Sequence, residues 1–96
     1  MRTVWKFPLY PSPPPLSFTG DVVVWMPQGA QVLTVQAQED VPVLWALVDT
    51  EAVSGPRHFL VVGTGHDMGD PAVRYVGTVQ LFGGGLVLHV FEAVLP

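Results

Sequence analysis

The residues best suited to chemistry lie in one short glycine-rich stretch, VVGTGHDMGD, over residues 61–70. His66 could act as a general base or as a hydrogen-bond donor, with Asp67 to orient it. Gly63 and Gly65 would let successive backbone N–H groups face one anion, as in a phosphate nest. The stretch therefore suggests anion binding, metal binding or hydrolysis, beside the simpler interpretation that it is a glycine-dependent turn.

Motif spacing weakens the first two of these functions. Neither GxxxxGK[ST] nor GxGxxG occurs, which excludes a P-loop and a Rossmann fingerprint. A metal site would need His66, Asp67 and Asp70 to be joined by His58 or His89, and no HExxH-type spacing supports that arrangement. We predict no metal and no cofactor.

Hydrolysis would need a nucleophile beside a base. His66 or His89 could serve as the base, with Asp67 or Glu92 to orient it, but no serine occurs in a GxSxG context. We therefore predict no catalytic residues and expect the protein not to be an enzyme.

Binding of a small ligand is the function that the polar and aromatic residues favour. Arg57 or Arg74 would neutralise phosphate, His66 and glycine amides would donate hydrogen bonds, and Trp25 or Tyr75 would stack on a ring. The predicted ligand-binding residues are Trp25, Arg57, Gly63, Thr64, Gly65, His66, Asp67, Arg74 and Tyr75.

The elements that must position these residues are short runs of β-branched and aromatic residues between glycines, prolines and acids. They predict strands at Thr3 to Leu9, Asp21 to Met26, Gln31 to Gln38, Val43 to Asp49, His58 to Gly63, Arg74 to Leu81 and Leu86 to Ala93. We expect one all-β domain over residues 1–96, a small antiparallel barrel or sandwich of about seven strands. The prolines at 10–20 predict a stiff connector.

Side-chain alternation predicts which strand faces are buried. One face of the strand at Gln31 to Gln38 should carry Leu33, Val35 and Ala37. A hairpin turn is predicted at Gly83–Gly85. One face of the predicted strand at Arg74 to Leu81 should carry Val73, Tyr75, Gly77, Val79 and Leu81. The run at 43–49 is apolar on both faces, which indicates a central strand or a subunit interface. Of the tryptophans, Trp45 is the one that we expect to be buried, and Trp25 is the one that we expect to be presented to a ligand or another subunit.

The composition of the chain limits the classes of partner that we expect it to bind. Hydrophobic residues make up 49% of the 96 and charged residues only 12%, so some apolar surface should form a homo-oligomer interface. Four scattered basic residues and a net charge of −4 argue against duplex nucleic acid and anionic membranes. Without a signal sequence or long apolar run, we expect the protein in the cytoplasm.

Several blocks together resemble a family of short, uncharacterised proteins of bacteriophages, prophages and bacteria, a domain of unknown function. The blocks are VWKFPL, MPQGAQVLTVQ, LWALVD, VGTGH, YVGTVQ and GGGLVLHVFE, and the segment YPSPPPLSFTGDVVVW departs by being longer and richer in proline. The resemblance implies a small phage-type accessory protein and carries no catalytic residues. We hypothesise sequestration of a nucleotide-derived host signal in counter-defence. The alternatives are a module that inhibits a host enzyme and a minor virion or assembly component.

Overall fold

The computed structural model of the chain describes residues 1–9 and 20–94. These residues form seven strands and one 3-10 turn at Phe82–Gly84. The strands are β1 Arg2–Pro8, β2 Gly20–Pro27, β3 Gln31–Gln38, β4 Val41–Asp49, β5 Ser54–Gly63, β6 Val73–Leu81 and β7 Leu86–Ala93. No helix in this part of the chain is long and apolar enough to span a bilayer. Residues 10–19 of the predicted connector lie outside the described residues.

The strands form two antiparallel sheets, a three-stranded sheet in the order β1-β4-β3 and a four-stranded sheet in the order β2-β5-β7-β6. The sheets do not close into a barrel, so the all-β prediction is confirmed as a sandwich. The thinnest dimension of the molecule, 20 Å, fits two layers packed about 10 Å apart. Strand β4 lies in the middle of its sheet, as its two apolar faces predict.

The predicted strand positions are close to the observed ones, and the largest difference is in β5. The prediction begins this strand at His58, after Pro56, whereas β5 begins at Ser54. Pro56 pairs with Trp25 of β2 on one side of β5. The pairing with β7 on the other side starts only at Phe59, so that side of β5 is unpaired at Pro56. A proline fits a strand where its missing N–H has no partner to bond.

The hydrophobic core lies between the inner faces of the two sheets. The inner side chains of β4, β5 and β7 alternate with outward ones, as strand geometry requires. The buried core cluster is Leu9, Val24, Met26, Ala30, Val35, Leu44, Ala46, Val48, Phe59, Val61, Val79, Leu81, Leu88 and Val90. Trp45 points to the outer face of its sheet and is only half-buried, so the prediction that it is buried is met in part.

Two β-bulges change the predicted faces. The register shifts around Leu33 in β3 and around Val76 in β6. A bulge adds one unpaired residue, so alternation reverses across it. Leu33 is therefore exposed although Val35 is buried, and Tyr75 is exposed although Val79 is buried. The prediction of one shared face is therefore wrong at Leu33 in β3 and at Val73 and Tyr75 in β6, which both precede the bulge.

The hairpin between β3 and β4 has a two-residue turn in which Glu39 and Asp40 both have positive φ, 51° and 59°. Two positive φ angles are what a type I′ turn requires. Asp40 Oδ1 also accepts the backbone N–H of Phe82 at 2.8 Å, which joins this turn to the β6–β7 turn. The predicted hairpin turn at Gly83–Gly85 is confirmed, with φ of 66° at Gly83.

Replacing Glu39 by glycine is expected to stabilise the protein. Glycine adopts positive φ without the steric cost that other residues meet, and part of that gain is offset by its greater freedom in the unfolded chain. We expect Glu39→Gly to raise the free energy of unfolding by about 0.5 kcal/mol and the melting temperature by about 2–4 °C. Glu51→Gly, in the β4–β5 turn without positive φ, should lower both, and thermal denaturation followed by circular dichroism compares them.

Candidate functional site

A buried carboxylate lies at the end of the inner face of β7. Glu92 follows Leu88 and Val90 on this face and is itself buried. Arg57 of β5 binds it with two parallel hydrogen bonds, from Nε to Oε2 and from Nη2 to Oε1, the second at 3.0 Å. This bidentate pairing matches the planar guanidinium to the carboxylate and provides the charge that a buried acid requires.

The pair shifts the titration of both partners. Burial by itself raises the pKa of Glu92, but the hydrogen bonds and positive charges of Arg57 and Arg74 outweigh it and hold that pKa below its ordinary value. The hydrogen bond to Glu92 raises the pKa of Arg57, against a smaller opposing effect of burial. Both groups are therefore charged at neutral pH.

The two arginines around Glu92 have different environments. Arg57 is held from a second side, because its Nη1 donates to the carbonyl oxygen of Ala30 at 2.9 Å. Arg74 approaches Glu92 only at 3.4 Å, and its side chain is 70% exposed. Among the described residues, Arg57 is fixed by three hydrogen bonds, whereas Arg74 presents most of its donors to solvent.

These charges line a cleft of about 460 Å³ between β3 and β6. Its walls combine the two arginines and Glu92 with a side-chain amide and apolar groups, so one positive charge is in excess. The volume lies within the range of small-molecule sites, about 300–1,000 Å³. The lining residues are Ala30, Gln31, Val32, Leu33, Arg57, Arg74, Tyr75, Val76 and Glu92.

Tyr75 borders both the cleft and the outer face of the four-stranded sheet. Its ring packs against Phe91 with centroids 5.6 Å apart, tilted at 60°. Its hydroxyl shares a 2.7 Å hydrogen bond with Thr78 Oγ1. These contacts hold the ring on the outer face of the sheet, next to the cleft.

The glycine-rich loop that follows β5 has its own internal bonds. Gly65 and Gly69 have positive φ, 83° and 67°. The amide of His66 donates to the carbonyl of Gly63 at 3.0 Å, and the amide of Gly69 donates to Asp67 Oδ1 at 2.8 Å. A side chain at position 63 would come within 3.0 Å of the His66 ring. These contacts explain why glycines occur in this turn. They also leave fewer backbone N–H groups that could bind an anion.

The structure brings only part of the predicted site together. Arg57, Arg74 and Tyr75 meet at the cleft. Gly63, Thr64, Gly65, His66 and Asp67 lie at or beyond the other end of β5. The six steps along the strand from Arg57 to Gly63 span about 20 Å at about 3.3 Å per residue. Trp25 lies on the outer face of the four-stranded sheet, opposite Pro56.

Sequence reasoning did not identify Glu92 as the partner of the arginines, nor Gln31 as part of the cleft. A signal for Glu92 is present, because the acid continues the buried alternation of Leu88 and Val90. An acid in phase with a buried face indicates a charged partner inside the protein. Gln31 carries no comparable signal.

A second polar cluster connects the loop to the outer face of the sheet. His89 Nε2 is 2.7 Å from Thr64 Oγ1, and His89 Nδ1 is 2.9 Å from Thr78 Oγ1. Both ring nitrogens are thus engaged with hydroxyls. Within residues 1–9 and 20–94, no three histidine or acidic side chains converge in a group that could hold a metal ion.

No curated protein and no solved structure matches the chain significantly. A family profile described as a domain of unknown function (DUF7352) matches residues 1–95. The match covers nearly the whole sequence, including the strands that form the cleft. The chain therefore belongs to the family of this domain of unknown function, DUF7352.

Proposed function

We propose that this protein is a non-enzymatic binding protein whose cleft between β3 and β6 takes a small anionic ligand of the nucleotide type. The observation that carries the proposal is the ordered arginine pair around the buried Glu92. Arg57 and Glu92 form the fixed base of the cleft, and Arg74 stands at its mouth with an exposed guanidinium. An arginine so placed can bind a phosphate through two parallel hydrogen bonds.

Glu92 determines where the anion would bind. The carboxylate already accepts bonds from both arginines, so a second anion is repelled from its side and attracted to the solvent side of Arg74. Gln31 adds a side-chain amide, and Val76 and Tyr75 add apolar surface. Such a combination suits a ligand with one anionic group and one flat, less polar part.

The proposal includes a biological setting, which rests on the resemblance to phage and prophage proteins. A protein that binds a nucleotide-derived signal without altering it would lower the free concentration of that signal in the host cell. In that setting the protein acts as a sequestering factor in counter-defence.

Arg74→Gln tests the cleft. We expect the wild-type protein to bind at least one member of a panel of ADP, ADP-ribose and cyclic dinucleotides in isothermal titration calorimetry. Arg74→Gln should weaken that binding about tenfold or more, because a charged hydrogen-bonded contact contributes about 1.5–3 kcal/mol. Arg74 is mostly exposed, so the melting temperature should change little.

Arg2→Gln is the matched control, because Arg2 is an exposed strand arginine on the other sheet, opposite Asp49. It should leave binding unchanged. Equal losses in the two variants would show that net charge alone is responsible and would contradict the cleft. Failure of the wild-type protein to bind any of the panel at millimolar concentration would also refute the proposal.

A further inference from the structure

An uncharged patch occupies the outer face of the four-stranded sheet, at the end where Trp25 lies. We call it the tryptophan face. Its side chains are on adjacent strands and point away from the core: Val23, Trp25, His58, Leu60, Tyr75 and Phe91.

The tryptophan face is both apolar and accessible. Trp25 is 64% exposed, Tyr75 59% and Val23 49%. The strand register connects them across the sheet, since Val23 lies opposite His58, and Phe91 lies between Leu60 and Tyr75. Contiguous apolar surface of this kind on a small protein indicates an interaction site.

The charges favour a second copy of the chain as the occupant. None of the six residues is an acid, a lysine or an arginine, so a strongly charged partner finds no complement here. Asp21 lies on the same outer face, opposite Leu60 on the edge strand β2, so it borders the patch. Two copies carry net charge −4 each and repel elsewhere. Contact through an uncharged face is the arrangement that brings them together without burying like charges.

The outer face of the sheet is of the right order of size. Its four strands have 8 to 10 residues each, which at about 4.8 Å between strands and about 3.3 Å per residue gives roughly 19 by 30 Å in projection. A stable interface needs about 800 Å² of accessible surface from each partner. Two sheets can stack face to face at about 10 Å with their strands about 30° apart. Trp25 and Tyr75 are the residue types that contribute most at the centre of such interfaces.

We propose that the tryptophan face is the contact between two copies of this chain, which stack their four-stranded sheets about a twofold axis. The contact is isologous, so each Trp25 packs on the partner's sheet in the same way. The inference does not depend on the anionic ligand: Tyr75 also lines the cleft, but the other five residues of the face do not.

The test is sedimentation velocity of the whole protein from low to high micromolar concentration, with Val23→Asp as the disrupting variant. The wild type should sediment as a dimer, and Val23→Asp should raise the dissociation constant roughly tenfold or more, since a buried unpaired carboxylate is unfavourable. Val53→Asp is the matched control, because Val53 is 74% exposed in the β4–β5 turn, outside the face. It should remain dimeric.

Circular dichroism checks that both variants are folded, and tryptophan emission gives a second readout. On dilution of the wild type, emission should shift to longer wavelength as Trp25 becomes exposed, and Val23→Asp should show the shifted spectrum at all concentrations. A wild type that is monomeric at high micromolar concentration overturns the proposal. So does a Val23→Asp variant that is folded and as dimeric as the wild type.

Discussion

Glu92→Gln is expected to lower the free energy of unfolding by about 3 kcal/mol, the lower end of the range for breaking a buried ion pair. The substitution keeps the size of the side chain but removes its charge, so the partly buried Arg57 loses the carboxylate that compensates it. Apart from residue 92, the described hydrogen-bond partner of Arg57 is the carbonyl oxygen of Ala30. Urea denaturation followed by tryptophan fluorescence measures the loss.

Glu51→Gln is the control for this change, because Glu51 is exposed in the β4–β5 turn. It should alter the free energy of unfolding by less than about 0.5 kcal/mol. Arg74→Gln in the Glu92→Gln background measures the coupling of the exposed arginine, which should be under about 1 kcal/mol. A Glu92→Gln variant as stable as Glu51→Gln would contradict the central role of the pair.

The same pair predicts a pH dependence. The folded-state pKa of Glu92 is lowered, so its contribution to stability is complete above its ordinary value of 4.5 and is lost as the pH falls through the lowered folded-state value. The difference in free energy of unfolding between wild type and Glu92→Gln should therefore be constant near neutral pH and shrink below about pH 4.5. A difference that grows on acidification would have the wrong sign.

Gly77→Ala is the second large effect that we expect. A methyl group at position 77 of β6 would lie 2.7 Å from Val35 Cγ1 of β3, which is closer than carbon atoms can approach. Val35 is buried and β-branched, so it cannot easily turn away. The two strands must separate locally, and we expect the free energy of unfolding to fall by about 1–3 kcal/mol, the usual cost of overpacking.

Gly55→Ala is the matched control in β5, because its nearest atoms would be side-chain atoms of Gln28 at 3.7 Å. It should be close to neutral. Combining Gly77→Ala with Val35→Ala tests the contact directly, since removal of the valine methyls makes room for the new one. The double variant should be more stable than the sum of the two single losses indicates, and strictly additive losses would show that the two residues are not in contact.

The strand positions could be predicted because alternation and turn residues are local properties of a sequence. Glu39–Asp40 and Gly83–Gly85 each separate two apolar runs, and both lie in hairpin turns. The bulges at Leu33 and Val76 could not be predicted, because an inserted residue leaves the composition of a strand unchanged. Their effect appears only once the partner strand is known.

The site was predictable in its residue types but not in its grouping. Arg57, Arg74 and Tyr75 come together because β7 pairs with both β5 and β6, which brings Glu92 between the two arginines. Nothing local relates Arg57 to an acid 35 positions later. The glycine-rich loop is prominent in the sequence because turns need glycine, and the structure puts it at the far end of β5 from the cleft.

The order of strand pairing has a consequence for folding kinetics. Among the described strands, only β3–β4 and β6–β7 are hairpins. Strand β1 pairs with β4 across β2 and β3, and β2 pairs with β5 across β3 and β4. The β1–β4 and β2–β5 pairings interleave along the chain. Strand β2 of the larger sheet lies between β1 and β4 of the smaller sheet, and β4 lies between β2 and β5. Ordering such distant segments is entropically unfavourable until both sheets form, and domains of this kind fold in about milliseconds to seconds. The two sheets are therefore expected to appear together, in one cooperative transition, rather than as a preformed half that recruits the other.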